Sequence, residues 1–401
     1  MPAALRWVIV TGEFPPARGG VGDYTAQLAH ALAETGDEVH VIAPPGDDGS
    51  GEVGSGGVAG GWFAPGASVH RLPDHFGVRS LAALRAILKS IAQPRVLLLQ
   101  YVPHAFGHRN MNIPFCAWWA AQRDERRAVM FHEVASPIQW RKAVKESVLG
   151  TVHRVMGRLL VEGADAIFLS TDAWRPLVQS LGATDLCVRT LPIPSNLPTM
   201  VADAARLARR HQLAPNGERL IGSFGSFGAL VAPATMTAVK EVLRACHDVR
   251  AVLIGRGARR LAERLLAESP DHAERLLIAD DLPAKEAAVT IAACDLMLQP
   301  YPDGITSRRS TAMASLALGK VLVTNAGALT ESSTDWASVV RLVESPSQIQ
   351  AAVVDLLNHP ASTISLGERA RRFYDSHFSL EMTIQRMRLA LSDAPARRGS
   401  T

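Results

Sequence analysis

Short runs of aliphatic and β-branched residues alternate with amphipathic stretches along nearly the whole chain. In the first half the runs fall at 6–11 (RWVIVT), 38–43 (EVHVIA), 68–72, 95–101 (RVLLLQY), 128–131 (AVMF), 165–170 (DAIFLS) and 187–191. Helical spacing occupies 22–35, 79–92 and 141–162 between them. The pattern restarts at 219–224 (RLIGSF) and continues at 249–254, 275–278, 295–298, 321–324 and 339–343, with helical stretches at 234–246, 259–268, 284–293 and 311–318. Strands that are apolar throughout, rather than alternating, predict parallel sheets covered on both faces. Two such series predict an α/β chain of two doubly wound domains. The break falls at LPIPSNLP, residues 191–198, where the prolines cannot continue a central strand or helix. A helical tail follows at 362–374 and 378–391, and the last ten residues are predicted to be disordered. Residues 45–66, PGDDGSGEVGSGGVAGGWFAPG, read as a flexible insertion or as a lid leaving the carboxyl edge of the second strand.

Composition narrows the class. A chain of 401 residues, 47% apolar and 20% charged, is an ordinary soluble globular protein of two or three domains. The net charge of +4 does not mark a dedicated nucleic-acid binder. Cys116, Cys187, Cys246 and Cys294 form no CxxC pair, which excludes a zinc ribbon and predicts buried thiols in a reducing compartment. No apolar run reaches the roughly 18 residues of a membrane span, and MPAALRWVIVTGEFPP lacks a signal-peptide layout. The expected location is cytoplasmic. Basic residues at 123–127 and 141–145 are either a solvated face or a peripheral membrane patch.

Three stretches carry candidate chemistry. The first strand runs into TGEFPPARGGVGDYTAQLAHAL, so Gly19, Gly20 and Gly22 precede the next helix. Such glycines let backbone approach a ligand, and the helix start offers free N–H groups to an anion; a tight strand-to-helix turn explains the same residues. The stretch is not GxGxxG, and no P-loop lysine follows. The fifth strand ends in FHEVASP, which puts His132 and Glu133 on the ligand-binding edge of a parallel sheet. A satisfied structural histidine is the alternative. The richest segment is 296–324, LMLQPYPDGITSRRSTAMASLALGKVLVT. Thr306, Ser307, Ser310 and Thr311 crowd a predicted helix start, beside Arg308 and Arg309. Helix N-termini favour acidic side chains, so two arginines there point to an anion that they clamp, unless they are a solvated pair.

Taken in order, these stretches resemble the retaining GT-B glycosyltransferases grouped as family 4. GEFPPARGGVGDYTAQLAHALAETGDEVHVIAP is similar to that family's opening glycine loop, and QYVPHAFG, FHEVASP and LPIPSN to its later landmarks. IGSFGSFG resembles the first strand of its donor domain, AVLIGRG and LIADDLPAKEAAVTIAACDLMLQPY the stretch around the nucleotide base, and DGITSRRSTAMASLALGKVLVTNAG a DGxSxRR-type donor loop. The resemblance implies two Rossmann-like domains facing a cleft that holds Gly20, His132 and Arg308. The acceptor-side domain would span 1–194 and the donor domain 195–377. A helix at 378–391 would cross back to the first domain, ahead of a tail at 392–401. It implies a nucleotide-diphosphate sugar as donor substrate, no other cofactor, no metal and no nucleic acid, and a glycan, lipid or small-molecule acceptor. Donor contacts are then expected from Gly19, Gly20, Phe224, Gly225, Gly255, Asp281, Leu282, Asp303, Gly304, Thr306, Ser307 and Ser310. Asp23, Tyr24 and Glu133 are expected on the acceptor side, with His132, Arg308 and Arg309 in catalysis.

Two departures from the family's common pattern stand out. Its two glutamates, eight positions apart, are replaced here by Thr306 and Ala314, in a register set by Gly319. Its Arg…Lys pair after the first donor-domain strand is absent from GSFGSFGALVAPATM. Arg308 and Arg309 are expected to supply the missing charge, and Asp303 a carboxylate. Two rival readings remain: a nucleotide-sugar epimerase of the same architecture, and a non-catalytic homologue that partners an active enzyme.

Overall fold

The structure, a computed structural model, describes residues 4–17, 19–46, 64–138, 144–185 and 187–393. Residues 47–63 of the glycine-rich stretch and the tail beyond 393 lie outside the described residues. The chain divides into two compact units, one made of the residues up to Pro192 together with those from Leu380 onward, the other of Ile193–Ser379.

The first unit is built from β1 (Arg6–Thr11), α1 (Gly20–Glu34), β2 (Glu38–Ala43), β3 (Ala67–Arg71), α2 (Val78–Ser90), β4 (Val96–Tyr101), α3 (Ile113–Ala120), β5 (Arg126–Phe131), α4 (Val144–Gly163), β6 (Ala166–Leu169), α5 (Arg175–Ser180) and β7 (Val188–Thr190). Among the described residues its sheet has the order β3-β2-β1-β4-β5-β6-β7, and every pairing is parallel. The apolar runs explain this. All of β4 is buried, as is β1 after Arg6, so both faces need helices. Trp7 lies at 0% exposure, and its indole N–H donates to the buried Asp37 at 2.8 Å.

The second unit contains α6 (Asp203–Leu213), β8 (Arg219–Phe224), α7 (Ala232–Ala245), β9 (Val249–Ile254), α8 (Ala258–Glu268), β10 (Leu276–Ala279), α9 (Ala284–Ala293), β11 (Leu296–Leu298), α10 (Ser310–Ala317), β12 (Val321–Asn325), β13 (Arg341–Val343), α11 (Ile349–Asn358) and α12 (Pro360–His377). Its sheet has the order β10-β9-β8-β11-β12-β13, again parallel. The last helix, α13 (Leu380–Asp393), belongs to the first unit. There Arg388 Nη2 donates to Asp37 at 2.6 Å.

Differences from the sequence reading are local. The strand expected at 339–343 begins only at Arg341, because a 3-10 turn over Trp336–Ser338 holds the amides of Val339 and Val340. α3 was not predicted: IPFCAWWA is apolar all round and shows no helical period, and its start is fixed by Asn112, whose side chain accepts from the Phe115 amide. Three of the cysteines are buried as expected, but Cys187 is only half-buried, 3.0 Å from the Thr184 hydroxyl.

Candidate functional site

In both sheets the strand order reverses beside the first strand of the unit, between β1 and β4 and between β8 and β11. Open α/β sheets bind ligands outside the carboxyl ends of the strands at such a switch point. The candidate residues fall at these two places, one group on each unit.

In the second unit a cavity of about 210 Å³ opens at the β8/β11 switch point. Its walls are the loop after β8 (Phe224, Gly225, Ser226, Phe227), the end of β11 (Gln299, Tyr301) and the α10 approach (Arg308 to Thr311). The floor is rigid. Gln299 Nε2 donates to the carbonyls of Phe224 at 3.1 Å and Thr311 at 3.3 Å, and its Oε1 accepts from the Tyr301 hydroxyl at 2.9 Å. Asn325 clamps Tyr301 by accepting from its amide and donating to its carbonyl, each at 2.9 Å. Burial pushes the Tyr301 phenol up to about 12, so it stays a neutral hydroxyl.

The charge in this cavity comes from one fork. Asp303 accepts from Arg308 Nη2 at 3.0 Å and from Arg309 Nη2 on its other oxygen. Arg309 also lies over the Tyr301 ring, 4.8 Å from its centroid. One carboxylate shared by two guanidiniums leaves the pair one positive charge in excess.

The loop that carries the fork is held from below. Gly304 (φ +84°) approaches Gly327 so closely that a Cβ would overlap the Gly327 amide. Ser307 was expected at the helix start, but α10 begins at Ser310, with Arg309 at the N-cap. Ser307 instead turns inward, and its amide and hydroxyl both donate to the buried carboxylate of Glu331, at 2.9 and 2.6 Å. Thr306 is wholly buried as well. Asp303, expected as a carboxylate for the ligand, is occupied by both arginines. Gly255 (φ +107°) and the exposed Asp281 (φ +48°) follow β9 and β10 on the same edge of the sheet, with Leu282 half-buried beside them. None of the three lines the cavity that holds the arginines. A second hollow of about 330 Å³ also has Phe227 in its wall, but it is lined mainly by apolar atoms, with Ala229, Ala232, Leu261, Arg260 and Arg264 around it.

In the first unit the glycine loop splits by role. Gly22 is packed so tightly that a Cβ would sit 3.2 Å from the Phe14 backbone, and one on Gly19 would strike the Glu13 carboxylate. Gly20 faces open space. Asp23 is half-buried in the first turn of α1, its amide bonded to the Gly19 carbonyl at 3.0 Å. Glu13 stands 3.6 Å from His104, and this contact raises the imidazole above its ordinary value. His132 sits just beyond β5 but is 8% exposed, with Nε2 2.7 Å from Gln100 Oε1 and its ring edge-on to Tyr24. Burial drives the imidazole down to about 3, so it is neutral at physiological pH. Tyr24 is buried and its phenol raised for the same reason, while Glu133 points to solvent. Gln100, Gln299, Tyr301 and Glu331 were not singled out in the sequence. They sit inside quoted motifs or beyond them, and only long-range contacts identify them.

Residues 19–194 match the family model described as the glycosyl transferase 4-like domain. No curated protein matches the chain in sequence. Among solved structures, sucrose-phosphate synthase from Thermosynechococcus elongatus aligns over 96% of this chain and 98% of its own at 16% identity, with a TM-score of 0.71. HepE of Anabaena, in complex with UDP, aligns over 97% and 100% at 13% identity and a TM-score of 0.68. The catalytic domain of starch synthase IV from Arabidopsis thaliana, bound to ADP and acarbose, aligns over 98% and 100% at 15% identity and a TM-score of 0.66. Residues 19–194 are therefore similar to the glycosyl transferase 4-like domain, and over nearly its whole length the chain has the two-domain GT-B fold.

Proposed function

We propose that this protein is a glycosyltransferase that moves a sugar from a nucleotide-diphosphate sugar to an acceptor hydroxyl with retention of anomeric configuration. The observation that carries the reading is the Arg308–Asp303–Arg309 fork at the β8/β11 switch point. The difficult step is departure of a nucleoside diphosphate, whose charge grows as the glycosidic bond lengthens. Two guanidiniums already oriented by Asp303, with the amides at the start of α10, meet that charge without reorganising. They take over the role of the Arg…Lys pair missing from the loop after β8, and no metal ion is needed for it. Relatives of the same fold hold UDP, UDP-glucose or ADP in their complexes, which supports a nucleotide donor of this class.

Retention follows if the acceptor attacks from the face the diphosphate leaves, with a diphosphate oxygen taking its proton. His132, neutral and buried, then serves as a polar contact for a hydroxyl rather than as an acid or base. The acceptor is a glycan, a lipid or a small molecule, and the reaction belongs to the cytoplasm, at the membrane surface if the acceptor is a lipid. A melting screen of UDP, ADP, GDP and their sugars is expected to show stabilisation by one nucleoside diphosphate, and slow hydrolysis of its sugar to the retained anomer by NMR. An altered sugar instead of hydrolysis would establish the epimerase. Nucleotide binding without turnover, with every acceptor class added, would establish the non-catalytic homologue.

A further inference from the structure

His132 is fixed more firmly than a packed histidine requires. Its amide donates to the Tyr101 carbonyl at 3.0 Å, and its own carbonyl accepts from Ser170 Oγ at 3.0 Å and Trp174 Nε1 at 3.3 Å. The ring is held at Nε2 by Gln100 and by a T-shaped contact with Tyr24, centroids 5.2 Å apart. Gln100 is at 0% exposure on β4, and its side chain makes no other hydrogen bond: Nε2 is buried with no partner among the described residues. The Tyr24 hydroxyl is buried in the same state. Leaving a buried amide half-satisfied costs about 1–3 kcal/mol. Sites that keep such groups are those where they do something other than stabilise the fold.

The Gln100 contact also selects a proton position. At 2.7 Å it lies at the short end of the N–H···O range. With the amide oxygen facing the ring, Nε2 must carry the proton it donates. We propose that Gln100 is a positioning residue whose amide oxygen accepts the Nε2–H of His132, locking the ring as one neutral tautomer so that the bare Nδ1 lone pair accepts a hydrogen bond from a substrate hydroxyl. The tautomer lock stands on the geometry alone; the substrate contact rests on the glycosyltransferase reading. Burial alone holds the ring neutral, with Tyr24 from α1 and Gln100 from β4 packed on it and the adjacent Glu133 turned to solvent. An imidazolium would present a donor at Nδ1 and repel the hydroxyl proton.

The test has two arms. Protein labelled with ¹⁵N-histidine, with the His132 signals assigned by their loss in His132→Gln, is expected to show a pyrrole-type Nε2 and a pyridine-type Nδ1 from pH 6 to pH 9. A pyrrole-type Nδ1, or an averaged pair, overturns the lock whether or not any enzymatic activity is found. The second arm follows turnover of the nucleotide sugar that the melting screen identifies. Gln100→Glu places a carboxylate on Nε2–H, raises the ring's proton affinity and is expected to add an acid limb to the pH–rate profile that the wild type lacks. Gln100→Met is expected to lower kcat about tenfold with KM for the donor changed less than about threefold. Unchanged profiles and kcat in both variants, with wild-type turnover intact, overturn the substrate contact. Absence of turnover in the wild type itself counts against the glycosyltransferase reading, and the spectra still decide the lock.

Discussion

Arg308 and Arg309 set the charge of the candidate donor site, and they are not equivalent. Arg309 is stacked on the Tyr301 ring, which fixes the plane of its guanidinium, so it is the one expected to take a phosphate oxygen. A hydrogen bond to a charged group contributes about 1.5–3 kcal/mol. Arg309→Ala is therefore expected to weaken nucleoside-diphosphate binding about 10- to 150-fold by titration calorimetry. Arg309→Lys should restore little of it, because an ammonium cannot stack or fork as a guanidinium does. A double alanine variant at 308 and 309 that binds as tightly as wild type would refute the assignment. His132 gives a second residue-scale expectation, in pH. Its imidazole falls from 6.5 to about 3 on folding. Between those values the unfolded chain binds a proton that the native state excludes. Stability is then complete above pH 6.5 and declines as pH falls, by up to about 1.4 kcal/mol per pH unit. Melting curves from pH 7 to pH 4 are expected to slope more steeply for wild type than for His132→Gln.

Among the elements, the segment between β11 and α10 does most to define the site. Its shape depends on Gly304, where a side chain would need a left-handed conformation and would overlap Gly327 and Thr330. Gly304→Ala is expected to destabilise the second unit by roughly 2–4 kcal/mol in urea titrations, and to loosen the arginine fork with it. The segment also shows what a sequence can reveal. Apolar runs without alternation placed nearly every strand, because burial on both faces leaves that signature in one short window. The arginines were legible as charges at the wrong end of a helix. Asp303 was read as a carboxylate for the ligand, since sequence spacing does not tell that both arginines turn back to it. Glu331 was invisible: it reaches Ser307 across 24 residues, and an isolated glutamate in a loop reads as solvated. α3 was missed for a simpler reason, that a helix apolar on every side has no period to detect.

At the scale of the molecule, each unit has its own sheet and core, so each should respond to its own perturbations. Asp37 is buried and accepts from the Leu5 amide, the Trp7 indole and Arg388. Removing the cation from a buried pair costs about 3–5 kcal/mol; Arg388 is only partly buried and Asp37 keeps its two N–H donors, so the loss here falls below that range. Arg388→Ala is accordingly expected to lower one transition in scanning calorimetry while leaving the other in place. A bound nucleoside diphosphate is expected to raise the transition that Arg388→Ala leaves alone. Both effects falling on a single transition would show that the units melt together.

The same ion pair has a consequence for how the protein comes into being. Asp37 and Arg388 are 351 residues apart, an interval that a ribosome crosses in roughly 20–70 s at ~5–20 residues per second. Through that time the second unit, a continuous stretch, can emerge and fold. The first cannot finish. Its sheet strands are all made by Thr190, but the Asp37 carboxylate still lacks its counter-ion and α13 has yet to be made. The earliest part of the chain to be synthesised is thus the last to be completed, and the nascent protein spends its longest interval with that unit unfinished, open to chaperones and to its own neighbours.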